Sequence, residues 1–210
     1  MKKILIVLLT LIPTLSYAQE WAFDVYLDKS KMGQHIFTLT EKDGVKELVS
    51  KAKFNVKVLF VNAYSYDHTA KEAWNKDCLT SIESKTTENK VNTSLSGKQD
   101  GKSFVVNATG KDKQMLPQCV STFAYWNPNV IEQTALLNPQ NGEFQKIHFD
   151  NLGTENIMVK GKPTDTMHYR LLSAPGSKIK LDIDLWYANK DWVALKSVTP
   201  EGYNVYYKLK

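Results

Sequence analysis

The chain has 210 residues, of which 42% are hydrophobic, and a formal net charge of +5. This length and composition are typical of a folded globular protein that can bury a sizeable core. The lysines are dispersed along the sequence and form no basic block, which argues against a nucleic-acid-binding surface.

The first 18 residues are organised like a secretory signal peptide. Lys2 and Lys3 precede an apolar run from Ile4 to Ile12, and the segment ends with Ser16-Tyr17-Ala18. A basic start, an apolar centre and small residues before a cleavage point are typical of export signals. The apolar run is too short to span a membrane.

We therefore expect cleavage after Ala18 and a periplasmic mature protein. It would run from Gln19 to Lys210, 192 residues, with a net charge of +3. The residue after the cut is not cysteine, so no lipid anchor is expected. No linker and no internal repeat interrupts this segment, which favours a single domain over residues 19–210.

The two cysteines, Cys78 and Cys119, are expected to form a disulfide because export places them in an oxidising compartment. The bridge would close a loop of 42 residues. A redox role is disfavoured because the close C-x-x-C spacing is absent.

Alternation of apolar and polar residues with a period of two predicts strands along most of the mature chain. It begins at Phe23, Val25 and Leu27 and is sharpest from Lys178 to Tyr187. About a dozen strands are predicted. Their short connections include turns at Lys31-Met32-Gly33, Asp43-Gly44, Asn62-Ala63, Asp100-Gly101, Asn151-Leu152-Gly153, Gly161-Lys162-Pro163 and Glu201-Gly202.

One long segment, residues 115–142, departs from this strand pattern. Asn127-Pro128 is a typical helix start, because Asn caps the first turn and Pro suits the first helical position. Apolar residues then recur at helical spacing, which predicts a short amphipathic helix from about Pro128 to Leu137. Asn138-Pro139 ends it.

Short turns exclude the long crossovers that parallel strands require, so we predict an antiparallel meander. A sheet of this many strands cannot stay flat and open. The expected fold is all-β (mainly). It is a large curved antiparallel meander sheet or incompletely closed barrel with one short helix across its concave face.

No pattern in the sequence predicts a catalytic or metal site. Asp182 and Asp184 share one face of a strand, and their alternation with Leu and Ile indicates a solvated face more than an acid–base pair. Neither a G-x-S-x-G motif nor a glycine-rich phosphate loop occurs. The histidines lack metal-ligand spacing and lie on four separate predicted strands: His35, His68, His148 and His168.

The aromatic cluster Phe123, Tyr125 and Trp126 has two interpretations. It either anchors the central segment to the sheet as core, or lines a cavity beneath the helix together with Val130 and Ile131. Outside this cluster, Trp186 and Tyr206 point away from the apolar faces of their strands, which predicts exposed aromatic side chains.

Several blocks of the sequence resemble a family of exported bacterial proteins known only as a domain of unknown function. The blocks are FDVYLDKSKMGQHIFTL at 23–39, Trp74 with Asp77-Cys78-Leu79, Cys119, FAYWNP at 123–128 and LLNPQNGE at 136–143. The family has no assigned activity, so no site residue is transferred. More loosely, the chain is similar to periplasmic carriers of the LolA/LolB type, a resemblance that implies a fold able to hold acyl chains.

From these patterns we expect a non-catalytic periplasmic binding or carrier protein for a lipid or other apolar ligand. The candidate ligand-binding residues are Phe123, Tyr125, Trp126, Val130 and Ile131. The alternative is an envelope assembly or interaction protein with a packed core, for which Trp186 and Tyr206 would mark the contact face. No cofactor, metal, nucleic-acid partner or membrane span is expected.

Overall fold

The structure is a computed structural model that describes residues 17–58, 61–177 and 179–210. The predicted signal peptide lies outside these residues, except for Tyr17 and Ala18, which begin the first strand. Its strands are β1 (Tyr17–Leu27), β2 (Ser30–Lys42), β3 (Val45–Val58), β4 (Val61–Asn75), β5 (Cys78–Glu88), β6 (Val91–Asp100), β7 (Ser103–Ala108), β8 (Gln114–Pro117), β9 (Ala135–Leu137), β10 (Phe144–Val159), β11 (Lys162–Ser173), β12 (Asp182–Ala188), β13 (Asp191–Val198) and β14 (Asn204–Leu209). A short 3-10 helix at Pro128–Glu132 lies between β8 and β9.

The fourteen strands form a single antiparallel sheet in which almost every strand pairs with its sequence neighbours. The exception is the pairing of β1 with β14, which joins the two ends of the described chain. β8 and β9 are the two edges of the sheet, and the described residues show no pairing between them. The predicted fold class, a curved antiparallel meander in an incompletely closed barrel, is confirmed.

The core lies on the concave face of this sheet, because strand residues of one parity point inward. On β1 the inward residues are Trp21, Phe23 and Val25, all nearly fully buried. Trp74 of β4 and Trp192 of β13 are also buried in the interior. Within the described ranges, no helix has the length and apolar character needed to cross a membrane.

The helix predicted from Pro128 to Leu137 is shorter than expected and is a 3-10 helix. Asn127 caps it as predicted, since its side chain accepts a hydrogen bond from the Asn129 backbone N–H at 3.1 Å. The chain returns to extended structure at Gln133. The reason is tertiary: Ala135–Leu137 pairs with β10, and Leu136 and Leu137 are fully buried there.

Three predicted turns lie within strands. Lys31-Met32-Gly33 belongs to β2, where the pairing with β1 shifts register between Val25 and Tyr26. Asn62-Ala63 belongs to β4. The predicted turn Asn151-Leu152-Gly153 is a β-bulge within the continuous strand β10, opposite β11. The Asn151 side chain accepts a hydrogen bond from the Gly153 N–H at 2.9 Å, and Gly153 has a φ of +88°. A bulge absorbs the extra residue without ending the strand, so a turn-like sequence occurs inside it.

Candidate ligand-binding site

The segment that connects the two edge strands of the sheet, β8 and β9, covers residues 118–134 and is called the strap here. On one side it joins β5 through the Cys78–Cys119 disulfide and a 2.9 Å hydrogen bond from the Leu79 N–H to the Val120 carbonyl. On the other side the Leu137 N–H donates to the Ser121 carbonyl at 2.9 Å. The predicted disulfide is present, and the strap is bound to β5 on one side and to β9 on the other.

The structure divides the five predicted ligand-binding residues into two groups. Phe123 and Tyr125 line an interior cavity, with ring centroids 6.2 Å apart. Trp126 and Val130 are buried away from it, and Trp126 packs edge-to-face on Trp74 at 5.5 Å. Ile131 is half-buried against the main core. The cavity interpretation therefore fits Phe123 and Tyr125, whereas the core interpretation fits the other three.

The cavity has a volume of about 210 Å³ and lies between the strap and the concave face of the sheet. Ser50 of β3 and Ala70 of β4 are directly paired across the strands, and both line it. Two small side chains at adjacent inward positions leave space that larger residues would fill. The aromatic walls of the cavity are formed by Phe37, Phe123, Tyr125, Trp192 and Tyr207.

Two histidines contribute polar groups to this cavity. His35 of β2 and His68 of β4 lie in one cross-strand row, separated by Ala52. The His35 ring is hydrogen-bonded to Ser50 Oγ at 2.7 Å through Nε2 and to Tyr207 Oη at 3.2 Å through Nδ1. Burial lowers the pKa of His35 well below its ordinary value, so the ring is neutral at neutral pH.

His68 is more deeply buried, with 3% of its surface exposed. Its Nδ1 is 2.8 Å from the Thr86 hydroxyl. Burial lowers the pKa of His68 to about 4, against a small opposing influence of Asp67. This ring is therefore also a neutral hydrogen-bonding group near pH 7.

Glu72 supplies a carboxyl group to the same cavity and is also only 3% exposed. Its Oε2 accepts hydrogen bonds from Trp74 Nε1 at 3.0 Å and from the strap residue Thr122 Oγ1 at 3.2 Å. Burial raises the pKa of Glu72 to about 7, although these two hydrogen bonds favour the ionised form. The carboxyl group therefore changes its charge close to neutral pH.

This polar cluster is absent from the expectations of the sequence analysis, which finds no pattern for a catalytic or metal site. The signal was the parity of β4, since His68, Ala70 and Glu72 alternate with the exposed residues Thr69 and Lys71. Among the described residues no group of three or more His, Cys, Asp or Glu side chains is arranged to hold a metal ion.

The outer face of the sheet carries a separate groove of about 530 Å³, lined by both Trp186 and Tyr206. Trp186 stacks on His168 with ring centroids 4.5 Å apart and donates a hydrogen bond from Nε1 to Glu155 Oε2 at 2.8 Å. Glu155 also lies 2.8 Å from His168 Nδ1. These contacts join side chains of the neighbouring strands β10, β11 and β12 on the outer face of the sheet.

The carboxylates Asp182 and Asp184 lie on the outer face of β12, as predicted, and each has its own partner. Arg170 donates two hydrogen bonds to Asp182, at 2.7 and 2.6 Å, and holds the pKa of Asp182 below its ordinary value. Asp184 pairs with His168 Nε2 at 3.0 Å. This arrangement is a surface ion-pair network and not a facing acid–base pair.

The fold has a counterpart among solved structures. The chain is similar to the beta-barrel-like protein of domain of unknown function DUF1849 from Brucella abortus, with a TM-score of 0.67. The two are 10% identical over 91% of this chain and 94% of that chain. At this identity the likeness shows the fold alone.

Comparison with curated proteins gives no match. The sequence does match a family profile over residues 23–210, nearly all of the described residues. The resemblance to a domain of unknown function is thereby confirmed, and the chain belongs to the family described as Domain of unknown function (DUF6134).

Proposed function

We propose that the protein is a non-catalytic binding or carrier protein for a lipid or another small, mainly apolar molecule, held in the cavity beneath the strap. The observation that supports this proposal is the cavity of about 210 Å³ between the strap and the concave face. Its walls combine aromatic rings with a few polar groups, which is the usual lining of small-molecule sites.

The cavity volume limits the size of the ligand. Pockets for drug-sized ligands usually measure roughly 300–1,000 Å³. A short ligand fits this volume, whereas a long acyl chain requires the strap to move away from the sheet. The disulfide and the hydrogen bonds at both ends of the strap oppose that movement, so we favour a short ligand.

The proposal is tested by filling the cavity. Ala70→Leu inserts a larger side chain at a cavity-lining position that is 3% exposed. Thr69→Leu is the matched control, because Thr69 is the next residue and is exposed on the other face. Native mass spectrometry after mild purification, and calorimetric titration with the neutral probe benzyl alcohol, should detect ligand in the wild type and Thr69→Leu but not in Ala70→Leu. Bare wild-type protein that binds no probe would contradict the proposal.

A second candidate function is protein interaction in the cell envelope. The exterior groove lined by Trp186 and Tyr206 favours it, since partly exposed aromatic side chains are enriched at interfaces. Replacing both residues with alanine should abolish a cross-linked complex in cells under this function, and Ala70→Leu should leave the complex intact. A complex that survives the double replacement counts against this function.

We also propose that the protein is exported and processed after Ala18. The disulfide is consistent with an oxidising compartment. N-terminal sequencing of the protein from a periplasmic extract should begin at Gln19. Recovery of the unprocessed chain in the cytoplasm would contradict this assignment.

A further inference from the structure

Glu72 is a buried carboxyl group without a cationic partner. It is 3% exposed, and none of the ion pairs formed by the described residues includes it. Its two recorded hydrogen-bond donors, Trp74 and Thr122, are neutral, and both bind Oε2. Buried carboxylates are rare unless they are paired, so the ionised form of this group favours a positive partner.

The surroundings of Glu72 supply no competing positive charge. Of the described residues that line the cavity, none is lysine or arginine. The Lys46 ammonium lies 5.6 Å from the ring centre of Trp126 and makes no ion pair with Glu72. The other titratable groups around the cavity are His35, His68, Tyr125 and Tyr207.

All four of these groups are neutral near pH 7. Burial lowers the pKa of both histidines, to about 4 in the case of His68. Burial raises the pKa of Tyr125 and Tyr207 above the ordinary phenol value. The only charge that the cavity lining acquires near neutral pH is therefore the negative charge of Glu72.

The rest of the wall suits the body of an organic cation. The Trp192 ring lies 5.2 Å from Phe37 and 5.4 Å from Tyr125, measured between ring centroids, and all three line the cavity. The negative faces of aromatic rings attract cations, most strongly on Trp, while the ring surface buries apolar groups. A carboxylate among several aromatic rings combines both modes of recognition.

Resting on the proposed function, we infer that the cavity binds a small organic cation, an amine or ammonium with an apolar body, and that Glu72 provides its counter-charge. The ligand nitrogen pairs with the carboxylate, and its hydrocarbon part lies against the aromatic walls. The inference assigns a charge to the ligand, which the proposed function leaves open.

Three probes of similar size and different charge test the inference. Benzylamine is positive at pH 8, benzyl alcohol is neutral and benzoate is negative. By isothermal titration calorimetry at pH 8, benzylamine should bind wild-type protein at least about tenfold more tightly than benzyl alcohol, because its bond to Glu72 is charge-assisted. Benzoate should be the weakest ligand. Glu72→Gln should remove the advantage of benzylamine and leave benzyl alcohol unchanged.

The pH dependence of the wild type provides a test that requires no variant. Benzylamine should bind more tightly at pH 8 than at pH 6, because Glu72 loses its proton between them, whereas benzyl alcohol should show no such change. Equal binding of amine and alcohol, or tighter binding of the alcohol at both pH values, overturns the cation inference and leaves the binding function standing. Failure of all three probes to bind the wild type and the Thr69→Leu control, together with the absence of a co-purified ligand, counts against the binding function itself.

Discussion

Thr122 of the strap donates a hydrogen bond to Glu72 of β4 at 3.2 Å, across 50 residues of sequence. Both residues line the cavity, and both are nearly fully buried. The bond therefore couples the position of the strap to the charge of the only carboxyl group that lines the described cavity.

Replacing Thr122 with valine should lower the free energy of unfolding, because valine has the same shape and cannot donate to Glu72. A hydrogen bond to a charged group is worth about 1.5–3 kcal/mol. We expect a loss of about that size at pH 8 and a smaller loss at pH 5, where Glu72 is protonated. Urea denaturation at the two pH values measures both. Thr69→Val, on the exposed face of β4, is the control and should change stability little.

The free energy of unfolding of Glu72→Gln, relative to that of the wild type, should increase as the pH rises. The folded-state pKa of about 7 lies above the ordinary value of 4.5, so the stability contributed by Glu72 is complete below pH 4.5 and is lost as the pH rises to 7. Glutamine keeps an oxygen acceptor for Trp74 and does not ionise. From pH 5 to pH 8 the difference in free energy of unfolding between the variant and the wild type should shift by about 2–3 kcal/mol in favour of the variant. A stability difference that is constant across this range would show that Glu72 is not perturbed.

The contribution of His68 to the free energy of unfolding should depend on pH in the opposite direction to that of Glu72. Its folded-state pKa of about 4 lies below the ordinary value of 6.5, so its contribution is complete above pH 6.5 and is lost as the pH falls through 4. On acidification from pH 7 to pH 4, the free energy of unfolding should fall in both proteins. The fall should be up to about 3 kcal/mol smaller in His68→Asn than in the wild type. Chemical denaturation measures the difference. An NMR titration provides a direct check, because a His68 ring that protonates near pH 6.5 would contradict the expectation.

Removal of the disulfide should destabilise the protein. The bridge closes a loop of 42 residues, for which the chain-entropy model gives roughly 4 kcal/mol. A double serine variant at Cys78 and Cys119 should show a loss of this order in urea denaturation. A single serine variant leaves a free thiol, so the double variant is the appropriate comparison. A loss below about 1 kcal/mol would mean that the hydrogen bonds of the strap hold it in place without the bridge.

Gly33→Ala should be strongly destabilising, because Gly33 lies in strand β2 beside a register shift in its pairing with β1. A Cβ atom at this position would collide with the backbone carbonyl oxygen of Lys53 on the neighbouring strand β3. Backbone atoms in a paired sheet cannot move aside as a side-chain tip can, so we expect a loss above about 3 kcal/mol. The control is Gly44→Asn, in a turn with no atom within 4 Å of the added Cβ. A thermal melt distinguishes the two variants.

Much of the fold was predictable because strand periodicity is a local property. The inward parity of Phe23 and Val25 and the turn at Asp43-Gly44 depend on neighbouring residues alone. The disulfide followed from the presence of only two cysteines. The helix end was not predictable, because the pairing of Leu136 and Leu137 with β10 is a long-range contact that overrides local helical spacing.

The sequence by itself determined that the chain forms an antiparallel meander interrupted by one exceptional segment, since alternation and turn residues act over a few positions. Only the tertiary structure decided that this segment connects the two edge strands of the sheet, and that it shares a cavity with His35, His68 and Glu72 rather than packing on a uniformly apolar face. Whether a polar side chain faces solvent or a cavity depends on how the sheet curls. The physical reason is that curvature and closure arise from contacts between residues far apart in the chain, which the local pattern does not encode.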